Sequence, residues 1–236
     1  MVADRTKRDG NGATMVLRIA DELRERVLRG NLKPGQRLKI DELSDLLKVS
    51  HMPVRGALQQ LEAEGLLDVF PHRGTVIRGV DERYVRNFYD IRGAIEGMLA
   101  ERYALLADDR GIVMLKEAAE TFERAIRRNE RQATLSADFA FHNHINQAAE
   151  NNDALRVLQQ GRLLVHALRL RVGYQPDRTR TLASEHSAIV DAIARRDAKL
   201  TGHLVVQHCE GARDEMISLL TYRTSARFSL SSSNRA

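Results

Sequence analysis

Apolar residues in the first third of the chain recur at the spacing of α-helices. In the first predicted helix, which ends at Gly30, they fall every three or four positions: Val16, Ile19, Leu23 and Val27. A second helix is predicted over about 40–47 and a third over about 51–64. The connection between these two helices is too short for anything but a tight turn.

The third helix and the segment after it complete a recognisable unit. Ser50 suits the N-cap position, and Pro53 falls in the first turn, where its missing N–H has no helical partner to lose. The β-prone runs 67–70 and 75–78 flank a Pro-His-Arg-Gly turn and predict a β-hairpin. Three helices and a hairpin in this order predict a winged helix-turn-helix.

After residue 80 the pattern changes and is helical throughout. It predicts six helices, over about 82–107, 109–129, 134–150, 153–173, 181–196 and 198–221. No seven-residue repeat lasts long enough for a coiled coil. The predicted fold is therefore mainly α: an N-terminal winged helix-turn-helix followed by an all-helical bundle of about 140 residues.

These patterns predict four parts of the chain. Residues 1–13 are polar and contain glycine, and we expect a disordered arm; residues 14–79 form the winged helix-turn-helix. Residues 80–221 form the helical domain, and the serine-rich residues 222–236 are expected to be a disordered tail.

Composition narrows the function classes only modestly. Of 236 residues, 43% are hydrophobic and 29% charged, and no apolar run is long enough for a signal peptide or a membrane span. The single cysteine, Cys209, excludes an internal disulfide and a thiolate-rich zinc module, which agrees with a reducing, cytoplasmic location. A net charge of +5 permits a polyanionic partner without identifying one.

The third predicted helix separates into an apolar face and a face available for DNA. The apolar face consists of Val54, Ala57, Leu58 and Leu61. The outer face carries Met52, Arg55, Gly56 and Gln59. Arg55 is the main candidate for a base contact, because a guanidinium can donate two hydrogen bonds to guanine or clamp a phosphate. Gly56 costs about 1 kcal/mol in a helix interior, and we expect close approach to DNA to compensate.

The predicted DNA surface also includes both ends of this unit. Ser50 and His51 begin the third helix, and His72, Arg73 and Gly74 lie at the hairpin tip, placed for a minor groove or a phosphate. The alternative is that Arg55 and Arg73 are ordinary solvated charges.

Three histidines and one aspartate lie on inward faces of the helical domain. Asp138 and His142 are four residues apart, so their side chains project from the same helix face. His186 and His208 each share a face with apolar residues. Any one of these histidines is equally explained as a hydrogen-bonded core residue, but together they predict a divalent metal site, with zinc foremost and nickel or manganese as alternatives. His144 and His203 are expected to lie outside it.

Residues 38–75 resemble the DNA-binding domain of the GntR family of bacterial transcription regulators. The resemblance is carried by the pattern P-V-R-x-A-L-x-x-L-x-x-E-G-L, which begins at Pro53. Four positions depart from the common pattern: Asp41, His51, Met52 and Gly56. The family operator therefore does not carry over to this chain.

The remainder of the chain, to about residue 214, resembles the helical FCD effector domain of the FadR subfamily. The matching motifs are D-x-x-F-H, which ends at His142, the Glu185-His186 pair, and His208. The resemblance implies metal binding by the aspartate and three histidines, and small carboxylates as effectors. Arg92 and Glu96 match an R-x-x-x-E pattern.

Two residues follow from this resemblance as candidate effector contacts. Arg92 is expected to orient the carboxylate, although an ion pair with Glu96 one turn away is the open alternative. Asn152 matches the asparagine that opens the next family helix.

The predicted function is a DNA-binding transcription regulator, a homodimer whose affinity for a double-stranded operator is controlled by a small organic acid bound at the metal. Two alternatives remain: a metal-dependent hydrolase-like enzyme, and a regulator with a purely structural metal. No H-E-x-x-H helix, nucleophile elbow, phosphate loop or dinucleotide fingerprint supports an enzyme.

Overall fold

The computed structural model describes residues 5–70 and 74–232, which form ten helices and three short strands. They divide into two compact units, the first ending at Val80 and the second beginning at Asp81. One segment of later sequence, Gln159–Leu168, belongs to the first unit, although the pattern placed it in the second domain. The reason is a backbone contact: the amide of Gly161 donates to the carbonyl of Glu64 at 2.9 Å.

The first unit has the predicted winged helix-turn-helix order. Its elements are α1 (Arg5–Leu28), β1 (Arg37–Leu38), α2 (Ile40–Leu47), α3 (His51–Ala63), β2 (Leu67–Phe70) and β3 (Gly74–Ile77). The strands form an antiparallel sheet in the order β1-β3-β2. Its core is apolar and fully buried, and includes Ile19, Leu23, Val54, Leu61, Leu66 and Ile77.

The turn between α2 and α3 is as short as the sequence requires. Lys48 ends α2 in the left-handed region at φ 53°, and the amide of Val49 donates to the carbonyl of Ser44 at 3.1 Å. Ser50 occupies the N-cap position of α3 with extended backbone, but its side chain makes no capping hydrogen bond. Ser50 therefore occupies the predicted N-cap position, but its hydroxyl does not cap the helix.

The second unit contains seven helices. They are α4 (Glu82–Leu106), α5 (Asp109–Arg127), α6 (Arg131–Ala148), α7 (Asn152–Gln159), α8 (Arg162–Val172), α9 (Pro176–Ala194) and α10 (Ala198–Ser232). The last residue of α7 and most of α8 lie in the segment Gln159–Leu168 that belongs to the first unit. The single helix expected over 153–173 is thus two helices, separated at Gly161, whose φ is +71°. None of the described helices is long and apolar enough to cross a membrane.

The first and last described helices extend further than the apolar pattern indicates. Helix α1 begins at Arg5 instead of near residue 14, and α10 continues to Ser232 instead of ending near residue 221. Once a helix is nucleated, each added residue gains a hydrogen bond, so a polar segment can extend a helix that apolar periodicity alone would not reveal.

The core of the second unit positions α4, α6, α9 and α10 around one another. Its fully buried members include Leu99, Leu115, Phe141, Ile145, Ile189 and Val205. Close packing of α4 on α10 depends on Gly97, where a Cβ would lie 2.8 Å from Cγ2 of Val206. This packing brings polar residues of three helices into the same interior.

Candidate metal centre and nucleic-acid interface

The faces of α3 are sorted as the sequence predicts, with one exception. The apolar residues are buried, whereas Met52, Arg55 and Gln59 are exposed. Gly56 instead faces α1, since a Cβ there would lie 2.9 Å from Cγ2 of Val16. The absent side chain makes room for helix packing, which is a reason for the glycine that the sequence did not reveal, and its role in close approach to DNA stays a prediction.

The hairpin brings together residues that the sequence pattern had not connected. Gly74 has φ +81°, and a Cβ there would lie 3.3 Å from Nε of Arg37 on β1. The exposed Arg37 guanidinium is therefore beside the hairpin turn. Sequence reasoning missed it because a two-residue strand carries almost no pattern. His72 and Arg73 lie outside the described residues.

The start of α3 carries a polar pair. Nε2 of His51 lies 3.4 Å from Oδ1 of Asp41, and both side chains are exposed. Asp41 is in the first turn of α2, so the exposed surface beside Ser50 combines an acidic and an ionisable group.

In the second unit, Asp138, His142, His186 and His208 converge. The first two lie one turn apart on α6, His186 lies on α9 and His208 on α10, and one ligand atom from each lies within 4.8 Å of the others. Nε2 of His142 is 2.9 Å from Nε2 of His208, and Oδ1 of Asp138 is 3.4 Å from Nε2 of His186. Helix packing thus joins the four residues that the sequence had placed on inward faces.

The arrangement leaves polar atoms buried without partners. Oδ1 of Asp138 and both ring nitrogens of His186 make no hydrogen bond. A buried polar atom left unpaired costs about 1–3 kcal/mol. Three imidazoles and a carboxylate oxygen are the donors that a borderline divalent cation takes. The residues therefore fit a divalent metal.

Burial determines the charge state of this cluster. It lowers the pKa of His142 well below the ordinary value and also lowers the pKa of His186. Burial alone would raise the pKa of Asp138, but the surrounding imidazoles of His186, His142 and His208 outweigh burial and hold that pKa well below its usual range. The buried aspartate is thus a carboxylate, and His142 and His186 are neutral at pH 7, which are the forms that bind metal.

Two of the four clustered residues, Asp138 and His208, also contact polar side chains outside the cluster. The hydroxyl of Tyr174 donates to Oδ2 of Asp138 at 3.2 Å, and Nδ1 of His208 lies 2.7 Å from Oε2 of Glu185. A cavity of about 330 Å³ reaches Tyr174 and is lined also by Arg131 and Thr134 of α6, by Val172 of α8 and by Thr179 of α9.

Of the two predicted effector contacts, neither lies in the cluster. Arg92 makes the ion pair that the sequence left as the alternative, its Nε donating to Oε2 of the buried Glu96 at 2.9 Å. Asn152 is the exposed first residue of α7, and the adjacent Asn151 caps that helix by accepting from the amide of Ala154. The effector roles of Arg92 and Asn152 stay predictions.

His144 and His203 lie outside the cluster, as expected from the sequence. Nε2 of His144 is 2.9 Å from the hydroxyl of Tyr103, and His203 is exposed on α10.

Two family models match consecutive parts of the chain. The model described as bacterial regulatory proteins, gntR family, matches residues 15–77, and the FCD domain model matches residues 87–211, more than half of the chain. The chain belongs to the GntR family and carries an FCD domain. It is a DNA-binding transcription regulator, and the enzyme alternative is set aside, because the matched domains and relatives are regulators.

Named relatives of this GntR regulator agree with the family assignment. A probable D-xylose utilization operon transcriptional repressor from Paenarthrobacter nicotinovorans is 27% identical, with 87% of this chain and 90% of the relative covered. The gluconate operon transcriptional repressor of Bacillus subtilis is 26% identical, covering 88% and 87%. Among solved structures, E. coli McbR/YncC has a TM-score of 0.69 at 19% identity, covering 89% and 98%, which supports the fold.

Proposed function

We propose that this GntR regulator binds operator DNA as a homodimer and that a small carboxylate, bound beside a divalent metal in its FCD domain, changes its affinity for the operator. The observation that carries the proposal is the convergence of Asp138, His142, His186 and His208 with buried polar atoms left unpaired. A metal ion would satisfy those atoms and remove their desolvation cost.

The donor set favours zinc, with nickel or manganese as alternatives. Bound there, the metal would supply a net charge of about +1 together with the carboxylate and imidazole ligands, and one or two coordination positions for an oxygen donor. Asp138 and the three histidines would hold it. A positive interior site of this kind selects small anions over neutral molecules.

The cavity beside the cluster is a suitable place for the rest of such an acid. Tyr174 contributes both to the cavity and to the hydrogen bond with Asp138. Arg131 adds a cation, and Thr134 and Asn129 add polar groups. Arg131 thus becomes a stronger candidate than Arg92, whose charge Glu96 already balances. The name of the gluconate operon repressor, a relative, associates that protein with a sugar acid, which is consistent with this class of ligand.

An exposed apolar stripe on α4 supports the homodimer. Ile91, Met98 and Leu105 are spaced seven residues apart and are 55%, 43% and 65% exposed. A stripe at this spacing can pack against the same stripe of a second copy related by a twofold axis. Paired reading heads then match the two halves of a palindromic operator.

Calorimetric titration of zinc-loaded and metal-stripped full-length protein with gluconate, succinate and uncharged D-xylose tests the effector. We expect an acid to bind the loaded form and D-xylose not to bind. DNA affinity, measured on a fragment that the protein selects from a random pool, should then change on addition of that acid. Equal affinity of the acid for both forms would refute the proposal, and zinc binding without any acid binding would leave a purely structural metal.

A further inference from the structure

The helix α9 carries a carboxylate next to the cluster that no part of the metal site requires. Glu185 precedes His186 in the chain, yet its side chain reaches α10, where Oε2 lies 2.7 Å from Nδ1 of His208. The other ring nitrogen of His208, Nε2, faces the cluster and lies 2.9 Å from Nε2 of His142. Glu185 therefore contacts the nitrogen of His208 that does not face the cluster.

Arg178 holds this carboxylate from the opposite side. Its two terminal nitrogens donate to the two oxygens of Glu185, and Nη2 is 2.9 Å from Oε2. The same Nη2 is 3.4 Å from the carbonyl oxygen of His208. The Arg178 side chain is 11% exposed and that of Glu185 is 26% exposed, so the pair is partly withdrawn from solvent.

A glycine on α10 makes room for this arginine. A Cβ at Gly211, three residues after His208, would lie 2.7 Å from Nη2 and 3.0 Å from Cζ of Arg178. The guanidinium is thus seated against the backbone of α10, on the same stretch of helix that carries His208.

The hydrogen bonds that Glu185 accepts determine which ring nitrogen of His208 carries the proton. Both oxygens of Glu185 accept hydrogen bonds from the Arg178 guanidinium, which is the arrangement of a carboxylate, and a carboxylate can only accept. A neutral His208 must then carry its proton on Nδ1 to donate to Oε2. Its Nε2 is left with a lone pair directed at the cluster.

The other two histidines lack such a partner. Nδ1 of His142 is 3.7 Å from Oε2 of Glu96, beyond hydrogen-bond distance, and Nδ1 of His186 makes no hydrogen bond. Among the three clustered histidines, His208 alone has its second nitrogen paired with a carboxylate in the described structure.

We propose that Glu185, held by Arg178, is a positioning residue that fixes the tautomer and ring orientation of His208 and so prepares it to bind the metal. This inference rests on the proposed metal site for its consequence, tighter metal binding, but the tautomer itself is a property of the metal-free protein. Removing such an outer partner weakens metal affinity by about 10–100-fold.

The substitution Glu185→Gln is the sharpest test, because an amide cannot reproduce three accepted hydrogen bonds. If its oxygen faces His208, its NH₂ opposes a donor of Arg178; if its NH₂ faces His208, it donates to Nδ1 and moves the proton to Nε2. Asp191→Asn is the matched control, since Asp191 is an exposed carboxylate on the same helix.

Two measurements on the full-length protein separate the inference from the proposed function. Zinc affinity, from competition with a chromophoric chelator, should fall about 10–100-fold in Glu185→Gln and stay unchanged in Asp191→Asn. Long-range ¹H–¹⁵N spectra of metal-free wild type should show His208 protonated on Nδ1, with the signal assigned by its loss in His208→Gln.

The spectrum does not depend on Glu185→Gln, so it decides the inference even if that variant does not fold. Protonation of wild-type His208 on Nε2, or equal zinc affinity in Glu185→Gln and the control, would overturn it. Wild type that binds no zinc but carries the Nδ1 proton would instead refute the metal proposal and leave the role of Glu185 in fixing the tautomer standing.

Discussion

Single buried charges determine much of the chemistry inside the FCD domain. Glu96 accepts from Arg92 and from Nδ2 of Asn146, at 2.9 and 3.1 Å. Burial alone would raise the pKa of Glu96, but Arg92, above all, lowers it to about 2. Removing one member of a buried pair leaves an uncompensated charge, whereas removing both costs less.

We therefore expect Arg92→Met to lower the free energy of unfolding by about 3–5 kcal/mol, and Arg92→Met with Glu96→Leu to recover much of that loss. Urea denaturation of the metal-free protein measures both. If Arg92 served only the effector, the single variant would be as stable as wild type.

Two arginines of the first unit, Arg55 and Arg37, are expected to make different kinds of contact with DNA. If Arg55 makes the predicted bidentate base contact, Arg55→Ala should lose about 1–3 kcal/mol of discrimination between operator and non-operator DNA. Arg37→Ala should weaken binding to all sequences and reduce the salt dependence by about one phosphate contact. Competition binding at fixed salt distinguishes them, with the exposed Arg180→Ala as control. Unchanged discrimination in the Arg55 variant would contradict the assignment.

At the scale of elements, glycines decide how closely helices pack. Gly56 lets α3 approach Val16 of α1, and Gly97 lets α4 approach Val206 of α10. A helix-interior glycine costs about 1 kcal/mol relative to alanine, so close packing must offset it. The substituted side chain and its neighbour should therefore be energetically coupled.

For that reason Gly56→Ala should lower the free energy of unfolding by about 1 kcal/mol in wild type, since overpacking exceeds the gain in helix propensity. In a Val16→Ala background, where the space is open, the same change should raise it by up to about 1 kcal/mol. Thermal or urea unfolding measures the change in the free energy of unfolding in each background. The same sign in both backgrounds would show that Val16 is not the constraint.

At the scale of the whole molecule, the exposed apolar stripe on α4 is the predicted dimer interface. If the stripe of Ile91, Met98 and Leu105 forms the dimer, a charge at its centre must disrupt it. Met98→Glu should sediment as a monomer of 26.6 kDa under conditions where wild type is dimeric. Val113→Glu, at another exposed apolar position, on α5, serves as control. A dimeric Met98→Glu variant would locate the interface elsewhere.

Acid should destabilise the metal-free protein. In the unfolded chain His142 and His186 take up protons as the pH falls below about 6.5, whereas in the folded chain burial lowers their pKa values. The unfolded state then binds more protons, so the free energy of unfolding falls as pH drops from about 6.5 toward 5. Urea midpoints measured over this range, with exposed His203→Asn as control, test the slope. If His142→Asn leaves the pH dependence of the free energy of unfolding unchanged, the prediction is wrong.

The amino-acid sequence by itself determined the order of elements in the winged helix-turn-helix and the inward faces carrying Asp138, His142, His186 and His208, because helical periodicity and turn residues are local properties. Only the tertiary structure decided which helices bring those faces together. It also decided that Gly56 faces Val16, that Arg92 pairs with Glu96 and that Glu185 reaches His208. A helical period reveals which face is buried, but not which neighbour covers it, since that depends on packing between segments far apart in the chain.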